Sequence, residues 1–238
     1  MDYQILIKLA FNRATLAFTK TWIQDVNILQ ILPNIFDFDI RLSRLKWEFG
    51  DISHEDALIL LCLLAKHLDA KEVFEFGTFK GRTTYNLALN LPNEGHVYTL
   101  DLPSKQAIAS KVQKNEMQYM NELGIHKERV GEVFKNSELR EKITSLLGNS
   151  KTFDFSPYFN RMDLIFIDGG HALDVITRDT ENAFKMLKNK GIIVWDDYGY
   201  VYPDVKRFLD RLSFKKKLFK DVRTGLVLYI SPEEIPRK

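Results

Sequence analysis

The sequence predicts an α/β fold: a doubly wound, mostly parallel, seven-stranded sheet with helices on both faces, preceded by a helical cap over residues 1–50. Three observations carry this. Strand-like and helix-like stretches alternate along residues 51–238, which read as one domain. The run Leu164-Ile165-Phe166-Ile167 is continuously apolar, as a strand buried on both faces of a parallel sheet must be. The stretch Val73 to Thr84 reads as a buried strand, a glycine turn and a helix start, the unit that opens such sheets.

The elements follow in order. Residues 1–50 carry helical spacing at Ile5, Leu6, Leu9 and Ala10, extending to about Thr21, until Pro33 and Asp37-Phe38-Asp39 interrupt it. Phe36, Phe38, Trp47 and Phe49 suit a cap on the sheet, a lid or a dimer surface, and the residues do not choose among these. A helix is expected over Asp51–Leu68, with Ser53 or His54 at its start and Glu55 in its first turn. After the glycine turn come a helix Arg82–Asn90, a turn at Pro92-Asn93-Glu94-Gly95 and a strand His96–Asp101. A polar excursion then runs to about Arg140, with plausible helices at Lys105–Lys114 and Glu116–Leu123, then Gly124 and Gly131. Its length suits a segment enclosing an acceptor. Lys105, Lys111 and Lys114 read as a solvated face. Strands follow at Ile143–Leu147, Met162–Asp168 and Ile192–Trp195, and helices at Ala172–Leu187, stopped by Asn189-Lys190-Gly191, and at Tyr202–Leu212. Phe214–Phe219 and Gly225–Ile230 suggest a final antiparallel pair, with Lys215, Lys216 and Lys217 on an exposed edge.

Composition narrows the class. The 238 residues are 45% hydrophobic and 28% charged, ordinary for a soluble globular chain. The net charge of +2 lacks the basic footprint of a nucleic-acid protein. The single cysteine, Cys62, forms no internal disulfide and lies in the apolar run 57–65, so a buried thiol in a reducing, cytoplasmic setting is expected. That run is far short of the ~20 residues that span a bilayer. Met1 is followed by Asp2 and not by the basic region of a secretory signal. No membrane partner is expected.

The glycine spacing selects the ligand. Dinucleotide loops place close glycines as G-x-G-x-x-G to admit a pyrophosphate. Here Gly77 and Gly81 are separated by Thr78-Phe79-Lys80, and Glu75 precedes the first. An acid there suits an amine better than a diphosphate. The following strand ends in Asp101, as needed to hold ribose hydroxyls. A glycine turn plus a ribose acid, without a diphosphate loop, suggests S-adenosylmethionine (SAM) over NAD. Gly148-Asn149-Ser150 ends the next strand and is either an adenine contact or a plain turn.

Asp168 and the pair Asp196-Asp197 end consecutive strands. Strands lie ~4.8 Å apart, so these carboxylates can converge and would repel without a counter-charge. A hard divalent ion such as Mg²⁺ would relieve that repulsion, while aspartates also end strands for turn reasons. His171, three residues past Asp168, could accept a proton or simply cap the helix it precedes.

Val73 to Thr84 resembles motif I of the class I SAM-dependent methyltransferases. Ile167-Asp168-Gly169-Gly170-His171 with Gly191-Ile192-Ile193-Val194-Trp195-Asp196-Asp197-Tyr198 resembles their small-molecule O-methyltransferases carrying IDGxH and WDDY segments. The similarity covers about residues 70–200. It implies a Rossmann-like methyltransferase fold, methyl transfer to a hydroxyl of a small metabolite, and a set of roles. Glu75, Phe76, Gly77, Thr78, Gly81, Arg82, Thr83 and Thr84 would hold the methionine part of SAM, with Glu75 near its amine. Asp101 and Leu102 would hold the ribose, Asn149 and Ser150 the adenine. Asp168, on the cofactor side, would join Asp196 and Asp197 in binding Mg²⁺, as acids at these positions do in catechol-type and macrolide-sugar enzymes. His171, with Asp168, would be catalytic, His171 taking the acceptor proton. Asn149 departs from the Asp that the family often has there, and Lys80 and Arg82 make the loop unusually basic. The alternative is a SAM-binding fold without catalysis, serving as sensor or partner subunit. An NAD oxidoreductase is disfavoured by the glycine spacing. The acceptor and the oligomeric state are left open.

Overall fold

In the computed structural model, residues 20–46, 55–103 and 130–235 are described, with Asn12, Arg13 and Leu16. The helical start at Ile5, the aromatics Trp47 and Phe49, the positions of Ser53 and His54, and the paired helices expected at 105–123 with their lysines lie outside them. Strand β1 is Gln24–Val26; helix α1 is Glu55–His67; β2 is Glu72–Phe76; α2 is Arg82–Asn90; β3 is His96–Asp101. After them come α3 (Glu132–Lys135), β4 (Ile143–Leu147), β5 (Met162–Ile167), α4 (Leu173–Met186), β6 (Leu187–Trp195), α5 (Pro203–Leu212), β7 (Phe219–Asp221) and β8 (Val227–Ile230).

The strands form one sheet of order β1-β7-β8-β6-β5-β2-β3-β4. The doubly wound α/β expectation holds, with eight strands where seven were expected. The additional one, β1, comes from the segment read as a helical cap and pairs in parallel with β7. It has only three residues, two of them exposed, so no periodicity marks it. Only β8 runs against the rest. The chain winds outward from β2 through β3 to β4, then returns to β5 and β6 on the other side of β2. The switch point therefore lies between the carboxyl ends of β2 and β5, where open α/β sheets bind ligands.

Alternation along the central strands builds two cores. Val73, Leu164, Phe166, Ile192 and Val194 face α1 and α2, whereas Phe74, Ile165, Ile167, Ile193 and Trp195 face α4 and α5. Each fully buried side chain of this size contributes roughly 1.5–3 kcal/mol. Cys62 is buried in the first core, and burial pushes its thiol up to about 12, in accord with an inert packing role. Among the described residues no helix is long and apolar enough to cross a membrane.

Two local expectations are corrected. The helix α4 ends at Met186 and the chain enters β6 directly, without the stop expected at 189–191. Gly191 instead serves a register shift against β5, since a Cβ there would lie 2.8 Å from Leu187 and 2.9 Å from the Asp163 carbonyl. Lys215, Lys216 and Lys217 fall in the turn and link before β7 and not on an edge strand, and β7 is covered by β1. Part of the first fifty residues also straps onto α2. Asn90 Oδ1 accepts from the Arg41 amide at 2.8 Å while its Nδ2 donates to the Arg41 carbonyl at 2.7 Å; Asn86 does the same for Ser43, at 2.9 and 3.0 Å.

Candidate active site

The switch point is built first by glycines. Gly77 has φ +93°, and a Cβ there would sit 2.0 Å from the carbonyl oxygen of Asp168. No other residue lets the end of β2 lie this close to the end of β5. Gly81, at φ +87°, is the N-cap of α2 and brings no side chain to it. The first-turn N–H groups of Arg82, Thr83 and Thr84 thus end on the loop, where an anionic group can be received.

Glu75 faces inward. It is buried, and its Oε2 accepts from the Thr84 hydroxyl and from Thr99 Oγ1, the latter at 2.6 Å. Thr78 Oγ1 lies 2.7 Å from the same Thr99 oxygen. Burial pushes the Glu75 carboxyl up to about 7, although both threonine bonds pull the other way. The acid expected near a ligand amine thus ties β2, β3 and the start of α2 together beneath the loop. Arg82 is likewise buried, its Nη1 3.4 Å from the Leu45 carbonyl.

Asp101 ends β3 beside the loop. Its Oδ2 accepts from the Phe79 amide at 2.9 Å and its Oδ1 from the Leu102 amide at 2.7 Å. A carboxylate offers about four lone-pair positions, so each oxygen keeps capacity for a hydroxyl donor. After β4, Asn149 Oδ1 accepts from the Lys151 amide at 3.0 Å, closing its own turn. Ser150 hydrogen-bonds Asp179 of α4.

The acid edge forms at the ends of β5 and β6. Asp168, His171 and Asp197 each bring one ligand atom within 4.8 Å of the others. His171 Nε2 lies 2.7 Å from Asp197 Oδ2. Asp197 has φ +62°, uncommon outside glycine though aspartate tolerates it, and functional sites are where such conformations persist. Asp196 stands apart from this donor set: its Oδ1 turns back to accept from the Asp197 amide at 2.8 Å. Its enclosure, and then the adjacent Asp197 charge, push its carboxyl up from the ordinary range. The structure thus brings together Asp168 and Asp197 of the expected acids, and places His171 where Asp196 was expected.

Around this cluster stand Tyr202, Lys206, Asp210 and Asp179, which carried no sequence motif, and Tyr198 of the WDDY segment. The ring of Tyr202 stacks on His171, centroids 3.6 Å apart and planes at 22°. Tyr198 donates to Asp210 Oδ1 at 2.7 Å, and Lys206 Nζ donates to Asp210 Oδ2 at 2.7 Å, in a pair that is nearly fully buried. Asp179 is buried against the turn after β5, its Oδ2 placed 3.4 Å from where a Gly169 Cβ would be. Burial pushes its carboxyl up to about 7. Its spacing from Ile176, Ala183 and Met186, all buried, was the available signal. A groove of about 620 Å³ opens along α4 just past His171, lined by Leu173, Asp174, Thr177 and Asp204 among others. Asp174 there is paired with Lys151 at 2.8 Å and Asp204 with Arg207 at 3.4 Å, so the groove holds no uncompensated acid of theirs to select a cation.

A family model described as a methyltransferase domain matches residues 74–198, from the middle of β2 to the turn holding Asp197. The chain belongs to this methyltransferase family. No curated protein matches the methyltransferase by sequence. Among solved structures, it is similar to the O-methyltransferase NovP, at 17% identity and TM-score 0.57 over 74% of this chain and 78% of that one. It is also similar to an O-methyltransferase candidate from Klebsiella pneumoniae, at 16% identity and TM-score 0.51 over 96% of this chain and 100% of that one. TomG from Streptomyces achromogenes, an O-methyltransferase of tomaymycin synthesis in complex with SAM, aligns at 19% identity and TM-score 0.48 over 97% and 99%. At these identities the likeness to NovP and to the Klebsiella protein is one of fold.

Proposed function

We propose that the protein is a SAM-dependent O-methyltransferase acting on a hydroxyl of a small metabolite. The observation that supports this most is the meeting of Asp168, His171 and Asp197 beside a glycine loop whose helix start is uncapped. SAM fits the loop by its parts. Its carboxylate suits the first turn of α2, and its ribose diol suits the lone pairs left on Asp101. Leu102, Asn149 and Ser150 flank that position. Phe76, Gly77, Thr78 and Gly81 shape the loop, Glu75 braces it from below, and Arg82, Thr83 and Thr84 begin the helix. The bound donor supplies an already activated methyl group, so the protein contributes mainly alignment and proton removal.

Proton removal falls to His171. Asp197 bonded to Nε2 favours the tautomer with the proton there, which puts the basic lone pair on Nδ1. A carboxylate that holds the ring also stabilises the imidazolium formed when the acceptor hydroxyl gives up its proton. The two carboxylates fit a divalent cation, Mg²⁺ on the hardness of the oxygen donors. Asp168 and Asp197 would hold it, with Asp196 behind them fixing the backbone of the turn. Such an ion lowers the pKa of a bound hydroxyl.

The test is transfer of labelled methyl from SAM to a panel of phenolic, catecholic and sugar hydroxyls, run with and without chelator. Turnover that chelation abolishes and Mg²⁺ restores is expected. His171→Ala should keep SAM affinity and lose about 10²–10⁴-fold in rate, the range for a general base. An unchanged rate ends the assignment of His171, and full activity after chelation removes the metal. SAM binding with no turnover across the panel would favour a sensor or partner-subunit role over catalysis.

A further inference from the structure

We propose that Tyr202 is a positioning residue that fixes the plane of the His171 imidazole. The hydrogen bond from His171 Nε2 to Asp197 Oδ2, 2.7 Å long, fixes one point of the ring and not, by itself, the rotation about that axis. The Tyr202 ring lies against the imidazole face, with centroids 3.6 Å apart and planes at 22°. An edge contact and a face contact together leave the ring a single orientation.

Tyr202 is itself held. It is the residue before α5, and its carbonyl accepts from the Lys206 amide at 3.2 Å. Helix α5 is anchored by buried Val205 and Leu209. Lys206 pairs with Asp210 at 2.7 Å, and Asp210 accepts from the Tyr198 hydroxyl at 2.7 Å. Tyr198 is the next residue after Asp197. The contacts therefore close a circuit: Asp197 to His171, His171 to Tyr202, Tyr202 along α5 to Asp210, and Asp210 back to Tyr198. One segment, residues 197–210, grips the imidazole with its first residue in the ring plane and with Tyr202 on the ring face. The residues between, Tyr198 to Val201, supply the bend that brings the two together.

The functional part of this inference rests on the reading of His171 as proton acceptor. A base delivers its lone pair in one direction, and a small misplacement of a catalytic group can cost about a hundredfold in rate. Contact between two aromatic rings is worth up to roughly tenfold in an equilibrium. The hydroxyl of Tyr202 has no part in the stack, so Tyr202→Phe keeps the ring that faces His171.

Proton NMR of the full chain, with the His171 ring signals assigned by their loss in His171→Ala, tests the contact without needing an acceptor. In the native protein the His171 ring protons should lie upfield of free histidine and show cross-relaxation to the Tyr202 ring. Tyr202→Phe should preserve the upfield position, and Tyr202→Leu should abolish it. Native signals at free-histidine positions, or signals unmoved in Tyr202→Leu, overturn the proposal. If Tyr202→Leu does not fold, the native and Tyr202→Phe spectra decide. On any acceptor found in the panel, Tyr202→Leu should lower kcat about 10- to 100-fold with KM for SAM unchanged, and Tyr202→Phe should restore it. A normal kcat in Tyr202→Leu, with His171→Ala inactive, overturns the positioning role and leaves the base intact. Full activity of His171→Ala overturns the base and leaves the NMR result standing.

Discussion

Replacing Glu75 by glutamine probes the brace beneath the loop. The carboxyl is buried and rises from an ordinary 4.5 to about 7, chiefly because burial penalises its charge. A native pKa above the unfolded one means that the folded state binds the proton more tightly. The stabilisation is fully present below about pH 4.5 and is lost as pH rises through about 7. The span corresponds to roughly 3 kcal/mol. Glutamine does not titrate, yet its carbonyl can still accept from the Thr84 and Thr99 hydroxyls, so its cost at low pH is about 1 kcal/mol, one hydrogen bond's worth. Urea denaturation of both proteins from about pH 4.5 to pH 8 reads the difference directly. The unfolding free energy of Glu75→Gln relative to the native protein should climb by roughly 3 kcal/mol across that window, ending with the variant the more stable. A difference that stays flat with pH would refute the argument, for it would mean that Glu75 titrates as a solvated acid and does not carry its charge into the core.

Two further outcomes follow from the geometry. Gly77→Ala places a methyl 2.0 Å from the Asp168 carbonyl at φ +93°, and should cost about 2–4 kcal/mol and displace the acid edge; near-native stability by chemical denaturation would contradict the close approach. Lys206→Met leaves Asp210 without the ammonium it pairs with inside α5, and should cost about 3–5 kcal/mol in the same assay, with a loss under 1 kcal/mol counting against the buried pair.

Where the chain advertises its structure, it does so through patterns that leave little choice. Arg82–Asn90, His96–Asp101 and Ile143–Leu147 lie where glycine, proline and apolar runs placed them. The converging acids could be read because strand ends in a parallel sheet share one edge. What the sequence concealed is tertiary. The edge strand Gln24–Val26 buries one side chain of three and is a strand only because Phe219–Asp221 lies beside it. Asn86 and Asn90 look like ordinary polar helix residues until the extended segment at 41–43 arrives to use their amides. Asp196 and Asp197 are equivalent on paper, and the positive φ of Asp197 is what sends one carboxylate to His171 and folds the other back onto the chain. Tyr202 comes to His171 through the bend at 198–201, which no periodicity encodes.

Everything functional depends on the bend between β2 and α2 receiving a sulfonium nucleoside. Isothermal titration of the full chain with SAM, with S-adenosylhomocysteine and with NADH measures this directly. The account predicts one-to-one binding of both adenosyl ligands, weakened in Asp101→Ala by the loss of the ribose contact, and no binding of NADH. Saturable NADH binding in the absence of any SAM heat would contradict it.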